Sequence, residues 1–437
     1  MAFARGLPGD RAPARGLAPG PPLRGAARVP GSKSIAQRAL LAAGLAGGTS
    51  RLRGSLAGDD VAATRAWLQA LGIGVSEDGA GLAVAGGGAV LPPRPTPLAA
   101  GESGTLARAA TALLALCGTP GAEYRLQAAG SLRRRSHPAL LAALGPRVLD
   151  GGWPTVLRAA PPDGPLVLRE ATSSQELTAL LLALAARPEG GVVRVVGAIP
   201  SAPYVDLTAH VLARFGASVV RESRGAETTF EVRGSLVAAE LEIEADASLA
   251  AVALAAGCLS GGEVTIPGLD RGSPQGDARI VERLAAFGCR ARWSPGGPVC
   301  GGKPPRGAEL DLRDEPDLAP VLAAVAAAAA NAGCTTRLGG LDTLPGKESS
   351  RIAVLVEGLR ACGWRARGDE RSLEVAAGPP AGAEPVTLDP AGDHRMAFAF
   401  ALLGLSRPGV RVGDPGCTAK SWPGFWDSLA ELGARVV

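Results

Sequence analysis

Hydrophobic and polar positions along the chain fall into a pattern that returns six times. Leucines three residues apart, as on one face of a helix, lead to a glycine and then to a short apolar stretch with strand character. The instances are Leu68–Val75, Leu141–Val148, Leu212–Val219, Leu284–Ala291, Leu359–Ala366 and Leu429–Val436, spaced by about 70 to 75 residues. Each has the form Leu-x-x-(Leu, Phe or Cys)-Gly, and the glycine suits the left-handed residue that stops a helix. The pattern therefore predicts six helix-to-strand units. One such segment arises easily by chance in an alanine-rich chain, whereas six at near-constant spacing indicate a repeated structure.

Units of this length hold several helices and strands bounded by Gly, Pro and Asp, which places the chain in the α/β class. Three units per domain is the natural grouping. Pro30-Gly31 and the Glu-rich stretch Leu241–Glu244, read as a strand leading into Ala245–Ser248, are the expected crossings between two domains.

Composition narrows the functional classes. The chain has 437 residues, 46% of them hydrophobic, enough for a large buried core. Charged residues are 20%, the formal net charge is +4, and Lys and Arg are scattered, so no basic stripe for nucleic acid is present. The seven cysteines, Cys117, Cys258, Cys289, Cys300, Cys334, Cys362 and Cys417, are odd in number and include no C-x-x-C pair. That argues against a disulfide framework and against a thiolate metal site, and fits a reducing cytoplasm. His137, His210 and His394 lack the spacing of a helical metal pair, so no metal is expected. Residues 1–28 are rich in Ala, Arg, Gly and Pro, lack the apolar core of a secretory signal, and read as a frayed extension. The longest apolar run, Ala319–Ala330, is too short to span a membrane, so no membrane association is expected.

Several short motifs carry chemistry suited to acidic small molecules. Pro30-Gly31-Ser32-Lys33-Ser34 through Arg38 places a turn, a hydroxyl and two cations at a helix start, where exposed amides and the helix dipole receive anions. An N-cap with solvated charges accounts for that segment equally well by itself. The spacing of a nucleotide-binding P-loop is absent, as is a strand-linked G-x-G-x-x-G, so nucleotide cofactors are not expected. Gly101-Glu102-Ser103-Gly104-Thr105, Arg133-Arg134-Arg135 and Thr172-Ser173-Ser174-Gln175 add glycines, guanidinium groups and hydroxyls. The second half contributes Pro316-Asp317, Lys347-Glu348-Ser349-Ser350-Arg351, Asp393-His394-Arg395 and Cys417-Thr418-Ala419-Lys420. Lys347 and Arg351, four apart, are expected on one helical face, with Glu348 in their cationic field.

Taken in order, these motifs resemble the EPSP synthase (3-phosphoshikimate 1-carboxyvinyltransferase) family from about Val29 to the C-terminus. The specific pieces are Pro30 to Arg38, Ser173 to Leu181, Pro203 to Thr208, Gln275 to Asp277, Lys347 to Arg351, Asp393 to Ala397 and Cys417 to Pro423. The resemblance implies the two-domain enolpyruvyl transferase fold, an inside-out α/β barrel in which each domain holds three βαβαββ repeats. One domain would be residues 30–244, binding most of shikimate 3-phosphate. The other would be residues 1–29 with 245–437, contributing phosphoenolpyruvate-binding and catalytic residues, and the two would close on substrate.

By similarity, Ser34, Arg38, Ser173, Ser174, Gln175, Ser201 and Tyr204 would hold shikimate 3-phosphate, while Lys33, Arg135, Arg351, Arg395 and Lys420 would clamp phosphoenolpyruvate. Gly104, Asp317, Thr343 and Lys347 complete the implied substrate-binding set. Asp317 would take the hydroxyl proton, Glu348 would serve C3, and Lys33 and Lys420 would stabilise the departing phosphate. The implied protein is a cytoplasmic monomer of chorismate and aromatic amino acid biosynthesis, with two small-molecule substrates and no cofactor, nucleic acid or membrane partner.

The chain departs from the family pattern at four places. Glu102 stands where Asn is usual, beside the implied phosphoenolpyruvate phosphate site, where a carboxylate repels phosphate unless protonated or paired. Thr343 replaces an Asn, Ser350 replaces an Asp, and Ser136 replaces a proline. Two other readings compete: an enzyme like UDP-N-acetylglucosamine enolpyruvyl transferase, whose A-K-N is here Ser32-Lys33-Ser34, and a non-catalytic metabolite-binding paralogue.

Overall fold

Each of the six leucine-glycine segments is a helix that stops at its glycine and turns into a strand. The helices are Asp59–Ala70, Pro138–Leu144, Pro203–Arg214, Ile280–Ala286, Arg351–Ala361 and Phe425–Glu431. The glycines that follow, Gly72, Gly145, Gly216, Gly288, Gly363 and Gly433, all take positive φ, between 58° and 96°. A residue with a Cβ is strained there, which is why the same residue recurs at every turn. The computed structural model describes residues 13–378 and 384–437.

Around each such turn lies one βαβαββ unit. In the third, strand Leu166–Arg169, helix Ser174–Ala186, strand Gly191–Val196, helix Pro203–Arg214 and the hairpin Ser218–Arg224 with Glu227–Arg233 follow in sequence. The first two strands pair in parallel, Leu166 opposite Val193, and the hairpin adds antiparallel, Phe230 opposite Val193. The sheet order is therefore first, second, fourth, third, and the sheets begun by Leu98–Ala99 and by Glu309–Asp311 repeat it.

Three units take a strand from elsewhere in the sequence. Glu240–Glu242 pairs in parallel with Gly47–Arg53, and Arg24–Ala26 with Glu263–Thr265. Leu17–Ala18 pairs antiparallel with Arg435–Val436 at the opposite end of the chain. The stretch expected to fray is thus structural from residue 13 onward: Leu17 is fully buried, and Gly404 packs so closely against its backbone that a Cβ there has no room. The first twelve residues of that expectation lie outside the described ones. The predicted strand at Leu241–Glu244 is present one residue earlier, as Glu240–Glu242.

Two compact units result. One runs from Pro30 to Glu244 and includes Pro274–Gly276; the other joins the segment ending at Val29 to Ala245–Ser273 and Asp277–Val437. Each has its own hydrophobic core. At the centre of the first lie helices Lys33–Leu45, Gly104–Cys117 and Ser174–Ala186, and at the centre of the second Ala247–Ser260, Ala319–Asn331 and His394–Ser406. These six are buried on almost all sides, so they carry apolar residues all round rather than on a stripe. Alanines keep them slim enough to pack against one another: Ala319–Asn331 contains eight alanines. Among the described residues, no helix is long and apolar enough to cross a membrane.

Candidate active site

The motif residues sit where these buried helices begin. Ser32 caps the first helix by accepting from the Ile35 amide at 3.4 Å, Ser103 the second from Leu106 at 3.3 Å, and Ser173 the third from Gln175 at 3.2 Å. Side chains lash these three starts together. Gln37 Nε2 donates to Ser103 Oγ at 2.8 Å, Gln175 Nε2 to Thr105 Oγ1 at 3.2 Å, and Arg38 Nη2 to Thr178 Oγ1 at 3.3 Å. Three helix N-termini and their positive dipole ends therefore meet at one end of the Pro30–Glu244 unit, a setting that favours anions.

The cations of this end are held by different means. Lys33 Nζ pairs with Asp60 Oδ2 at 2.9 Å. Arg38 is 2% exposed and is held by neutral oxygens: Thr208 Oγ1 and the Ser34 carbonyl at 2.8 Å each, and the Tyr204 carbonyl at 3.4 Å. Burial lowers its pKa to about 10, because among the described residues no carboxylate is paired with it. Arg135 Nη2 donates to the Glu102 carbonyl at 3.3 Å, and its Nε has no partner.

Gly104 lies between these groups. A Cβ there would stand 3.0 Å from Arg108 Nη1, 3.3 Å from Gln175 Oε1 and 3.5 Å from Arg135 Nη1. Ser201 is a non-glycine residue at φ 51°, just ahead of helix Pro203–Arg214, and Tyr204 stands in the first turn of that helix. Ser173, Ser174 and Gln175 open their helix through a reciprocal cap in which buried Glu176 accepts from the Ser173 amide at 3.2 Å. The structure separates the three consecutive arginines: Arg133 Nε donates to the Ala128 carbonyl, whereas Arg135 turns toward Gly104.

Glu102 reaches the turn at Gly130 and Ser131. Its carboxylate lies against Gly130 and Ser131, accepting from the Ser131 amide at 3.4 Å, and any Cβ on Gly130 would land on it. The carboxylate thus sits at the start of the 3-10 turn Gly130–Arg134, where free amides accept negative charge.

The second unit has its own cluster. Asp317, 8% exposed, receives Arg351 Nη1 at 2.7 Å and Lys347 Nζ at 3.2 Å on Oδ1, and Arg395 Nη2 at 3.2 Å on Oδ2. Arg351 also reaches Glu348 Oε2 and Asp393 Oδ2, each at 2.8 Å, so all three of its nitrogens hold a carboxylate. Lys420 Nζ lies 3.5 Å from Glu348 Oε1. Arg395 ties two further helix starts in, donating to Ser248 Oγ at 3.2 Å and to the Asp317 carbonyl at 3.3 Å. Four cations and three carboxylates share this network, counted among the described residues.

Burial alone would raise the Asp317 pKa, but Arg395, Lys347 and Arg351 outweigh it and hold the carboxyl far below the ordinary range. The same carboxylates hold Arg351 protonated despite its burial. Asp277, which accepts from Ser248 Oγ, behaves oppositely: burial pushes its pKa up to about 7, against the pull of Arg395 and with the push of Asp317.

One expectation needs correction here. Lys347 and Arg351 do not share a helical face, since the helix begins only at Arg351; they meet because both bind Asp317 Oδ1. Thr343, which the resemblance places on substrate, has its hydroxyl enclosed without a partner. Asp60, Thr178, Thr208, Ser248 and Asp393 were not singled out from the sequence although they position the cations. Thr178, Thr208 and Asp393 lie inside motifs already noted, and Asp60 follows a helix-opening Gly58-Asp59 pair, which was the available signal.

The model of the family described as EPSP synthase (3-phosphoshikimate 1-carboxyvinyltransferase) matches residues 17–429. The chain belongs to this family. A 3-phosphoshikimate 1-carboxyvinyltransferase of Thiobacillus denitrificans is 37% identical over 428 residues, covering 93% of this chain and 96% of that protein. The protein of the same name from Bordetella bronchiseptica is 35% identical, covering 94% and 96%. In fold, the chain is similar to EPSP synthase from Acinetobacter baumannii, with a TM-score of 0.78 and 22% identity over 98% of this chain and 99% of that one. It is also similar to the enolpyruvyl transferase NikO from Streptomyces tendae, with a TM-score of 0.72 and 20% identity over 98% and 99%. The two-domain enolpyruvyl transferase architecture expected for the EPSP synthase family is therefore the observed fold class.

Proposed function

We propose that this protein transfers the carboxyvinyl group of phosphoenolpyruvate to the 5-hydroxyl of shikimate 3-phosphate, releasing phosphate, as a step of chorismate and aromatic amino acid biosynthesis. One observation carries the reading. The motif residues that place the chain in its family, scattered from Lys33 to Lys420, are gathered into two networks of cations, carboxylates and helix N-termini, one in each unit. Such networks suit substrates bearing phosphate and carboxylate groups.

In this proposal Ser34, Arg38, Gln175 and Tyr204 hold shikimate 3-phosphate, with Ser173, Ser174 and Ser201 on its phosphate. A buried Arg38 surrounded by neutral oxygens gains most from an incoming anion. Lys33, Arg135, Arg351, Arg395 and Lys420 bind phosphoenolpyruvate, and the bare Cα of Gly104 leaves the approach to Arg135 and Gln175 open. Thr343 offers an unused hydroxyl, and Lys347 orients Asp317. The protein acts as a cytoplasmic monomer, and the proposal invokes neither metal nor cofactor.

Asp317 is assigned the hydroxyl proton and Glu348 the proton at C3. Surrounded by three cations, Asp317 is a weak base. An anion arriving on Arg351, Arg395 or Lys347 draws that positive charge away and raises its proton affinity, so the base becomes competent when substrate is in place. Lys33 and Lys420 stabilise phosphate as it leaves.

The test is formation of the carboxyvinyl ether, followed by NMR, with the wild type and with Lys33→Met and Glu348→Ala. Both variants are expected to remain folded, with a lowered melting midpoint because each leaves a buried charge short of a partner, and to lose turnover by a factor of about 100 or more, the scale of a lost proton carrier or charge stabiliser. Full activity in either variant removes the role given to that residue.

A further inference from the structure

The sequence spacing argued against a thiolate cluster, yet three of the seven cysteines converge. Cys258 lies in helix Ala247–Ser260, Cys300 in strand Gly297–Gly301, and Cys289 directly precedes strand Arg290–Ser294. Their sulfur atoms all lie within 4.8 Å of one another. All three residues are buried, and none is in a disulfide.

Three sulfurs on one pyramidal trivalent centre, with bonds of about 2.3 Å and angles near 100°, stand about 3.5 Å apart, so a contraction of up to about 1.3 Å closes this triangle on one. Three features select the kind of ion. The ligands are soft, which favours thiophilic centres over oxygen-seeking ones. Among the described residues no fourth Cys, His, Asp or Glu joins the group, so a tetrahedral site is not completed by side chains. The surroundings are the apolar core of the unit, with Val264, Leu284 and Phe287, and Arg290, whose charge acts on Cys300, is exposed. A net charge is costly there. Three thiolates around a divalent ion leave one negative charge, around a monovalent ion two, and around a trivalent ion none.

We propose that Cys258, Cys289 and Cys300 form a binding site for a trivalent thiophilic centre of the arsenite class, separate from the active-site residues. The binding step is a condensation. Arsenous acid exchanges its three As–O bonds for three As–S bonds, and each thiol proton leaves with a hydroxide as water. No electrons move and no charge is created. The product cross-links the helix, the turn and the strand, so it stabilises the native unit. Entry requires opening of the hairpin Arg290–Ser294 with Gly297–Gly301, whose first strand is a sheet edge, so association is slow.

The experiment uses the full chain, kept reduced by a phosphine and titrated with sodium arsenite, with zinc and cadmium salts in parallel. Native mass spectrometry should show one arsenic per chain with loss of three hydrogens, and the thermal midpoint should rise by on the order of 5 °C at saturating arsenite. Alkylation after unfolding should find Cys258, Cys289 and Cys300 protected and the other four cysteines reactive, which identifies the site without any substitution. Cys258→Ala, Cys289→Ala and Cys300→Ala should each weaken binding by about 100-fold or more, while Cys117→Ala and Cys334→Ala leave it unchanged. Absence of arsenic on folded protein whose seven thiols all titrate after unfolding would overturn the proposal, as would protection of other cysteines. Tighter binding of zinc than of arsenite would overturn the charge argument.

Discussion

At the scale of single residues, Glu102 is the departure with the clearest consequence. Its carboxylate rests on the Ser131 amide, and its own carbonyl receives Arg135, so the residue that carries this negative charge also holds, through its backbone, a guanidinium assigned to phosphoenolpyruvate. A repulsion of about 1 kcal/mol corresponds to roughly a fivefold loss of affinity. Glu102→Asn is therefore expected to lower KM for phosphoenolpyruvate by about that factor with kcat nearly unchanged, and steady-state kinetics at fixed shikimate 3-phosphate check it. Asp277 supplies a second prediction. Its pKa is raised in the folded state to about 7 from an unfolded value of 3.8, so the native protein binds more protons than the unfolded chain between those limits. Its contribution to stability is complete below pH 3.8 and is lost as pH rises toward 7. Asp277→Asn should remove this component, seen as a smaller fall of the urea midpoint between pH 4 and pH 7 than in wild type. The charged residues that the two networks gather were legible where a motif names them, as with Lys33, Asp317, Glu348 and Arg395. Their partners were not, because Asp60 for Lys33 and Thr178 and Thr208 for Arg38 come from other helices, and only the packing of those helices brings them within reach.

At the scale of elements, the helix-to-strand turns were the most readable feature, because one stereochemical requirement selects glycine at all six. The same requirement predicts graded costs. Gly433 has φ 96° with open space where a Cβ would go, so Gly433→Ala should destabilise by the left-handed strain alone, about 1 to 2 kcal/mol. At Gly288 a Cβ would also meet Pro305 Cγ at 2.7 Å, so Gly288→Ala should cost more. Urea denaturation of the two variants gives the comparison, and equal losses would contradict the steric part. The central helices were less readable. Ala319–Asn331 and Ser174–Ala186 are apolar all round, and a helix without a polar face has no period to detect. Periodicity also misplaced Lys347 on a helix that starts four residues later.

At the scale of the whole chain, the repeat pattern gave the number of units but not how they are closed. The borrowed strands Leu17–Ala18, Arg24–Ala26 and Glu240–Glu242 are two or three residues long, too short to carry an alternating signal, and two of them lie in a stretch whose composition suggests fraying. Their pairing is what lets each unit complete its sheets from distant parts of the sequence. The outcome is two cores, each with three buried helices whose starts carry charged and hydroxyl side chains, which is the arrangement on which the proposed transfer rests. The most direct test is inorganic phosphate release from phosphoenolpyruvate by the purified protein, alone, with shikimate 3-phosphate, and with UDP-N-acetylglucosamine. Release that depends on shikimate 3-phosphate and does not occur with the sugar nucleotide is the predicted result. Folded protein that releases phosphate only with the sugar nucleotide, or with neither acceptor, would contradict the proposed function.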